Sequence, residues 1–350
     1  MSPTALACLT GLLVTIILVY ILSPLARRIG LVDTPRAHKA HEGQVPLVGG
    51  LAMFCGFLLA VLVLPASLAA FRPLFAGLAL LVIVGLLDDF RELGPNSRFV
   101  AQIGAGLIMV FWGGLSITTL GPLIGDWELQ PGLVTVPFTV FAVVGVINAM
   151  NMQDGIDGLA GAQALIAFST LAWTAFSGGA TAHGVVLLVL ASVTIGFLAF
   201  NLRLPGRPRA MVFMGDAGSM FLGFALAWFV VDLSQPPDRT LAPVTALWIL
   251  AVPLMDTVCI LLRRMARGRS PFLADREHLH HLLQAAGFSV AGSVILVVVI
   301  AACLAVGGLA AQYLAVPDRY LFVGFLILFA LYATIMDLSW RRLGCAHDLA

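Results

Sequence analysis

Long apolar runs and short polar segments alternate along the whole chain. Eleven runs are long enough to be read as helices that cross the hydrocarbon core of a bilayer, which takes about 20 apolar residues per helix. Their approximate bounds are 4–24, 47–66, 71–87, 99–117, 132–150, 159–176, 183–200, 217–232, 241–262, 290–311 and 320–338. None shows the period-two alternation of a barrel strand. The pattern predicts an all-α polytopic membrane protein with about 11 transmembrane helices, in which residues 1–350 form one integral-membrane domain.

The composition excludes two classes of protein. Apolar residues make up 60% of the 350 residues and charged residues only 11%, whereas soluble domains average about 45–50% and about 25%. Nineteen Lys and Arg against 18 Asp and Glu leave a net charge of +1, which does not favour a polyanionic partner. A soluble globular protein and a nucleic-acid-binding protein are therefore excluded.

The basic residues predict the orientation in the membrane. Loops on one side of the predicted helices hold 16 Lys and Arg residues, and loops on the other side hold 3. Because Lys and Arg accumulate in short cytoplasmic loops, the richer side is predicted to be cytoplasmic. With eleven helices, the N-terminus then lies outside and the C-terminus lies in the cytoplasm.

The first polar segment on the predicted cytoplasmic side is cationic. Lys39 and His41 lie between two prolines, which keep the backbone extended. An ordinary positively charged inner loop is the alternative interpretation. Gly49 and Gly50 then open a helix and allow its backbone to approach another helix or a ligand closely.

Carboxylates lie at two helix ends on the same side. Asp88 and Asp89 end one apolar run, where negative charge opposes the helix dipole, so a divalent cation or Arg91 has to compensate it. Asp216 opens a later run, at a position typical of an N-cap residue and compatible with a metal ligand. A solvated helix end paired with Arg91 and a purely structural cap at Asp216 are the alternatives.

A polar stripe ends another predicted helix, and its members recur at steps of three, which makes consecutive members neighbours on a helix. They are Asn148, Asn151, Asp154 and Asp157. Two amides and two carboxylates at membrane depth are costly unless they face a cavity, an ion or a ligand. The pattern predicts a curved polar wall, with a polar seam between helices as the alternative.

The last inner loop combines arginines with clustered histidines. Its candidate binding residues are Arg264, Arg267, His278, His280 and His281. Zinc is one interpretation, but no cysteine lies among them, and the carboxylates elsewhere favour a hard ion. Arg and His side chains that donate to phosphate oxygens fit better, and a solvated basic loop is the alternative.

These segments together place carboxylates, amides and cationic donors on one face of the membrane. Mg²⁺ favours one or two carboxylates plus substrate phosphates. Phosphoryl transfer depends on charge neutralisation and positioning more than on covalent protein chemistry. The residues therefore indicate phosphoryl transfer to or from a substrate with a polar head group.

Five motifs, in this order along the chain, resemble the polyprenyl-phosphate N-acetylhexosamine-1-phosphate transferases. They are Asp33-Thr-Pro through Gly49-Gly50, Leu87-Asp-Asp89, Asn148 through Gly158, Phe213 through Ser219, and Ser270-Pro-Phe through His281. The resemblance covers the chain from Gly30 to about Phe288. The final motif, His278-Leu-His-His281, is similar to the His-Ile-His-His pattern of the WecA-like branch, the undecaprenyl-phosphate GlcNAc-1-phosphate transferases, rather than to the MraY branch.

The resemblance implies a reaction, a cofactor and a location. A UDP-N-acetylhexosamine, of which UDP-GlcNAc fits the branch best, would donate its sugar 1-phosphate to undecaprenyl phosphate and release UMP, starting a lipid-linked cell-envelope glycan. Mg²⁺ would be required, with Mn²⁺ as the alternative ion. The active site would face the cytoplasm from the bacterial inner membrane, with membrane lipid and the two substrates as partners. The oligomeric state stays open, with a homodimer as one alternative.

The resemblance also implies roles for the candidate residues. The metal ligands would be Asp216 and Asp88. The catalytic residues would be Asp88, Asp89, Asp154 and Asp157. The substrate would be bound by Lys39, His41, Asn148, Asn151, Arg264, Arg267, His278, His280 and His281.

Two other functions stay open from the sequence. The same reaction with a different UDP-amino sugar is one, because no residue can be identified that reads the sugar. A secondary transporter is the other, although transporters place coupling charges near the midplane in broken helices and often show two matching halves.

Overall fold

The computed structural model describes residues 1–33, 44–65, 67–268 and 277–347, without the side chains of 343–347. The chain divides into two compact units, Met1–Thr118 with Pro131–Leu241 and Thr119–Gln130 with Ala242–Ala350. The helices of the first unit are α1 Pro3–Ile29, α2 Gly49–Leu62, α3 Arg72–Arg91, α4 Pro95–Leu107, α5 Thr135–Gln153, α6 Leu159–Ser177, α7 Thr181–Asn201 and α8 Gly215–Ser234. Those of the second unit are α9 Pro243–Ile249, α10 Ala251–Ala266, α11 Leu279–Ala285, α12 Val290–Tyr313 and α13 Asp318–His347. The prediction of a single domain stays a prediction.

The chain is a multi-pass membrane protein built from apolar helices. Among the described residues, eight helices are long and apolar enough to cross a membrane, and the bent pair α9 and α10 makes a ninth if it counts as one span. Two further predicted runs contain shorter helices. They are α2, with 14 residues, and α4, which continues into a π-helical turn over Ile108–Trp112. The all-α prediction is confirmed, while the count of eleven and the orientation of the termini stay predictions.

Helix α8 lies at the centre of the first unit. Its most apolar stretch is 89% buried, the largest share among the candidate spans, and α2, α3, α5 and α6 pack against it. A Cβ at Gly50 would come within 2.2 Å of the Gly218 nitrogen, and one at Gly85 within 2.4 Å of the Ala217 Cα. Glycine at these positions lets α2 and α3 touch the first turn of α8. The end of α3, one turn after Gly85, is thereby fixed beside the N-terminus of α8.

The loop before α2 also joins the loop before α8. The short strands β1 Val32–Asp33 and β2 Val45–Pro46 pair in antiparallel fashion. Gly49 and Gly50 donate their backbone N–H groups to the carbonyl oxygens of Phe213 and Met214, at 3.0 Å each. The sequence left open whether this glycine pair approaches another helix or a ligand. The structure shows that it contacts the protein itself, at the loop that leads into α8.

The second unit is built around a sharp bend. Helices α9 and α10 meet at 83°, with Leu250 between them. The described part of this unit has two apolar cores, which are Ala251, Met255 and Phe325, and Cys259, Leu282 and Met336. Because the second core joins α10 to α11 and α13, the short helix α11 and its histidines are held against these two helices.

Candidate active site

The first unit holds a cluster of polar side chains at the start of α8, here called the carboxylate cluster: Asp88, Asp89, Asn151, Asp154 and Asp216. Asp216 lies in the first turn of α8. Its Oδ1 accepts a hydrogen bond from Asn151 Nδ2 at 2.6 Å, and its Oδ2 accepts one from Arg98 Nη1 at 2.8 Å. The Asn151 amide also donates to the Ser219 hydroxyl at 2.9 Å. Helices α4, α5 and α8 therefore meet at the Asp216 carboxylate.

Asp216 is not the N-cap of its helix, which corrects one alternative from the sequence. The N-cap residue is Met214, and no side chain of its own segment caps α8. Instead, Asp89 accepts hydrogen bonds from the backbone nitrogens of Asp216 at 2.8 Å and Ala217 at 3.3 Å. Gly215 has a φ of 68°, and a Cβ there would lie 2.3 Å from Asp89 Oδ2. Asp89 thus caps α8 from α3, and glycine at 215 makes the room for it.

Asp88 keeps one oxygen without a described partner. It is 7% exposed. Its Oδ2 lies 3.6 Å from Arg98 Nη1, and its buried Oδ1 has no hydrogen-bond partner among the described residues. Leaving a buried acceptor unpaired typically costs about 1–3 kcal/mol. A cation or a substrate group that supplies a partner would recover this free energy.

The polar stripe of α5 divides after Asn151. Helix α5 ends at Gln153, so the prediction of a continuous helical stripe is wrong for Asp154 and Asp157, which lie in the following turn. Gly158 has a φ of 88°, a left-handed conformation that ends the helical pattern. Only the first two members of the stripe are neighbours on a helix.

Two members of the stripe bind neighbouring segments. Asn148 Nδ2 donates to Gln102 Oε1 at 2.6 Å and to the Val144 carbonyl at 2.8 Å. Asp157 accepts from Arg203 Nε at 2.7 Å and from the Ala210 nitrogen at 3.1 Å. Their assigned roles in binding and catalysis stay predictions, since the structure shows these contacts with α4 and with the loop before α8.

Asp154 is the member of the carboxylate cluster that lies in the turn after α5. Its pKa is raised well above the ordinary aspartate value, first because the surrounding protein removes water from the carboxyl group. The carboxylates of Asp216, Asp89, Asp157 and Asp33 raise the pKa further. So many negative groups around one point favour the binding of a cation.

The donor set fits a hard divalent ion. Asp88 and Asp216 contact the same guanidinium nitrogen of Arg98, so one positive group already lies between the two carboxylates. Within the described ranges, no group of three His, Cys, Asp or Glu side chains is placed to hold a metal ion. Mg²⁺ needs none, because it takes one or two carboxylates and completes its shell with water and substrate phosphates.

The second unit holds the histidine cluster, which consists of His278, His280 and His281. The rings of His278 and His280 are stacked at 5.5 Å with an angle of 7° between their planes. The centroids of the His280 and His281 rings are 4.2 Å apart. The three imidazoles pack together at the start of α11, and two of them, His278 and His280, are buried.

His280 is buried without a described partner. It is 1% exposed, and neither of its ring nitrogens has a hydrogen-bond partner among the described residues. Burial, helped by the neighbouring His281 and His278, lowers its pKa to about 3. His280 is therefore neutral near pH 7, with one N–H donor and one acceptor nitrogen available to a ligand.

The pKa of His280 predicts how stability changes with pH. A histidine whose pKa falls from 6.5 to about 3 on folding stabilises the protein fully above pH 6.5 and loses that contribution as the pH falls towards 3. His280→Asn cannot take up the proton. Between pH 7.5 and pH 5, the unfolding free energy of the wild type should fall by about 2 kcal/mol more than that of the variant. Thermal or denaturant unfolding in detergent measures this difference, and parallel pH curves would contradict it.

Among the predicted phosphate-binding residues, Arg267 is paired with a carboxylate of its own unit. Arg267 Nη1 donates to Glu277 Oε1 at 2.6 Å, and Arg263 Nη1 donates to Glu277 Oε2 at 2.7 Å. Arg264 is 6% exposed. Lys39 and His41 lie outside the described residues, as does the stretch 269–276 of the basic loop. The binding roles predicted for Arg264, Arg267, Lys39 and His41 therefore stay predictions.

Two residues at these clusters were missed from the sequence. In the sequence, Arg98 is only one of the 16 basic residues on the predicted cytoplasmic side, yet it contacts both Asp88 and Asp216. Asp256 lies in an apolar run and accepts a hydrogen bond from His278 Nδ1 at 2.8 Å. A carboxylate inside a membrane-spanning run is itself a functional signal, so the sequence alone could have identified Asp256 as a candidate functional residue.

Comparison with known proteins gives the chain a consistent set of relatives. The model of glycosyl transferase family 4 matches residues 71–234, a range that contains every residue of the carboxylate cluster. An undecaprenyl-phosphate alpha-N-acetylglucosaminyl 1-phosphate transferase of Escherichia coli (strain K12) is 36% identical over 330 residues, or 94% of this chain and 90% of the relative. Proteins with the same name from Yersinia pestis and Haemophilus influenzae are 37% and 38% identical over 92% of this chain, and over 88% and 90% of their own lengths. The resemblance drawn from the five motifs is confirmed.

Proposed function

We propose, from the premise that this chain belongs to glycosyl transferase family 4, that it transfers GlcNAc 1-phosphate from UDP-GlcNAc to undecaprenyl phosphate and releases UMP. The observation that carries this proposal is the convergence of Asp88, Arg98, Asn151 and Asp216 at the start of α8. Relatives that align with at least 92% of this chain, at 36–37% identity, are named as undecaprenyl-phosphate alpha-N-acetylglucosaminyl 1-phosphate transferases. Neither the family nor its named relatives support a transporter.

The transfer forms one bond to phosphorus and breaks another. An oxygen of the lipid phosphate attacks the phosphorus that carries the sugar, and the bond from that phosphorus to the UMP oxygen breaks. A phosphate that approaches a diphosphate in a poorly solvated cleft is strongly repelled. Cationic groups must therefore offset the charge of both substrates, and a single displacement needs no covalent enzyme intermediate.

Asp88 and Asp216 would hold Mg²⁺. The bound ion supplies positive charge for the diphosphate oxygens of the donor. Arg98, which contacts both carboxylates, adds a second positive charge at the same point. Asn151 fixes the Asp216 carboxylate through a 2.6 Å hydrogen bond, and Asp89 fixes the helix turn that carries Asp216.

Asp88 would also take the proton of the lipid phosphate when that phosphate arrives singly protonated. Its buried Oδ1 has no described hydrogen-bond partner, whereas both oxygens of Asp89 accept hydrogen bonds from the α8 backbone. The two adjacent carboxylates thus divide their tasks: Asp88 acts on substrate or metal, and Asp89 positions Asp216.

The histidine cluster would bind polar groups of the UDP-sugar. His280 supports this role because it is 1% exposed and has two unpartnered ring nitrogens among the described residues. Neutral imidazoles donate and accept one hydrogen bond each, which suits phosphate oxygens and sugar hydroxyl groups. Arg264, Arg267, Lys39 and His41 would add positive charge to the same substrate.

The finer membrane arrangement belongs to the same proposal. Eleven spans result if α2, α4 with its π-helical turn, and the bent pair are each one span. The distribution of 16 against 3 basic residues then places the N-terminus outside and the C-terminus in the cytoplasm. The chain would lie in the bacterial inner membrane with its site at the cytoplasmic face, where UDP-sugars are available.

The test uses the purified chain in detergent. UMP release is expected only when UDP-GlcNAc, undecaprenyl phosphate and Mg²⁺ are all present. EDTA should abolish the release, and added Mg²⁺ or Mn²⁺ should restore it. Release that persists in EDTA would contradict the metal, and release without lipid would indicate hydrolysis. If the protein is active with another UDP-amino sugar and not with UDP-GlcNAc, the proposed reaction is right and the proposed donor sugar is wrong.

A further inference from the structure

Asp256 is a buried carboxylate to which the carboxylate-cluster mechanism gives no role. It lies in α10 and is 0% exposed. Three donors converge on its two oxygens: His278 Nδ1 at 2.8 Å on Oδ2, with the Leu279 nitrogen at 3.1 Å and the Tyr332 hydroxyl at 2.6 Å on Oδ1. These contacts join α10, α11 and α13 within the second unit.

This arrangement fixes the proton on His278. With three donors on two oxygens, the carboxylate acts only as an acceptor. Nδ1 of His278 must therefore carry a proton, and Nε2 is directed away from Asp256. The ring is also held flat against His280, at 5.5 Å and 7°. Both the orientation of the imidazole and its protonated nitrogen follow from Asp256.

The residue before His278 is anchored to the same helix. Glu277 accepts from Arg263 and Arg267 of the α10 segment at 2.7 and 2.6 Å, and its carbonyl oxygen accepts from Trp340 Nε1 at 3.1 Å. Two consecutive residues before α11 are thus tied to charged groups of α10. The start of α11 is set by these bonds and by the apolar contact of Leu282.

We propose that Asp256 is a positioning residue that acts through His278, holding its imidazole so that Nε2 meets the polar groups of the UDP-sugar. Tyr332 keeps the Asp256 carboxylate in place. The proposal rests on the proposed role of the histidine cluster in donor binding. It assigns a function to a buried carboxylate that otherwise sits at a cost in an apolar helix.

The kinetic test compares two Asp→Asn variants. Both oxygens of Asp256 accept hydrogen bonds. Asp256→Asn replaces one of these acceptors by an NH₂ group, which can only donate. It should raise KM for UDP-GlcNAc at least tenfold and leave KM for undecaprenyl phosphate within threefold. Asp232→Asn is the matched control, because Asp232 accepts from another histidine, His183, at 2.9 Å in the first unit. That control should change both constants less than twofold.

A second comparison separates positioning from folding. His278→Asn keeps a donor for Asp256 and removes Nε2. In that background, Asp256→Asn should add less than a twofold change, because residues that act as a unit are not additive. Tyr332→Phe is the milder variant if Asp256→Asn does not fold. It should raise KM for UDP-GlcNAc about threefold, and this effect should also vanish with His278→Asn.

The protonated nitrogen of His278 can also be identified by ¹⁵N NMR, which does not depend on enzyme activity. In ¹⁵N-histidine-labelled protein, which has seven histidines, the His278 signals are those lost in His278→Asn. The wild type should show a protonated Nδ1, and Asp256→Asn should move the proton to Nε2. The proposal is overturned if the proton does not move, if Asp256→Asn behaves like Asp232→Asn in an active enzyme, or if its effect persists with His278→Asn. A wild type that releases no UMP would instead refute the proposed function, while the ¹⁵N spectra would still decide the Asp256–His278 link.

Discussion

Asp216→Asn should lower kcat/KM for UMP release by about 10³-fold or more, the scale for loss of a charged group at a phosphoryl-transfer centre. The substitution keeps an oxygen that accepts from Asn151 or Arg98, so the protein should stay folded. It removes the negative charge that the proposed metal site needs. Steady-state kinetics with saturating Mg²⁺ and thermal unfolding in detergent measure both effects.

Asp232→Asn is the control for this variant, because it makes the same change near the other end of α8. It should leave turnover within twofold of the wild type. An Asp216→Asn enzyme that keeps activity within tenfold of wild type, with unchanged metal dependence, would remove Asp216 from the metal site. A large fall in its unfolding temperature would assign its effect to folding instead.

Asp88→Asn and Asp89→Asn should separate catalysis from positioning. Asp88 has a buried oxygen without a described partner, so its amide should lower kcat by about 10²–10³-fold with no loss of stability. Asp89 caps α8, and replacing one acceptor oxygen by an amide should cost about 0.5–2 kcal/mol of unfolding free energy. Activity should then fall by about tenfold, as expected for a displaced Asp216.

The two variants are measured side by side, by kcat and by the unfolding midpoint. The assignment fails if Asp89→Asn is the less active variant and unfolds like the wild type. It also fails if Asp88→Asn loses stability in proportion to activity, because that result would make Asp88 a structural residue.

The helical class and the polar segments could be read from the sequence because both depend on local patterns. Apolar runs separated by polar loops predict membrane helices, and the structure has apolar helices at the predicted positions. The sequence also indicated that Asp88 and Asp89 at the end of α3 need compensation. It offered a cation or Arg91, whereas the structure shows Arg98 and the positive N-terminal end of α8.

What the sequence could not give depends on contacts between distant residues. Arg98 and Asp216 are 118 positions apart, and Asp256 and Tyr332 are 76 positions apart. No periodicity links such pairs, since they arise from how the helices pack. The sequence also misses the break of the polar stripe after Asn151, because the polar residues keep their spacing of three as far as Asp157, although the helix ends at Gln153.

The most direct test of the account follows the two phosphorus atoms of the donor. Purified protein would be given undecaprenyl phosphate, Mg²⁺ and UDP-GlcNAc labelled with ³²P either next to the sugar or next to uridine. The account predicts that the label next to the sugar passes into the lipid product and that the label next to uridine leaves as UMP. If the label next to the sugar leaves with uridine as UDP, the enzyme transfers the sugar alone, and the phosphosugar transfer proposed for the carboxylate cluster is wrong.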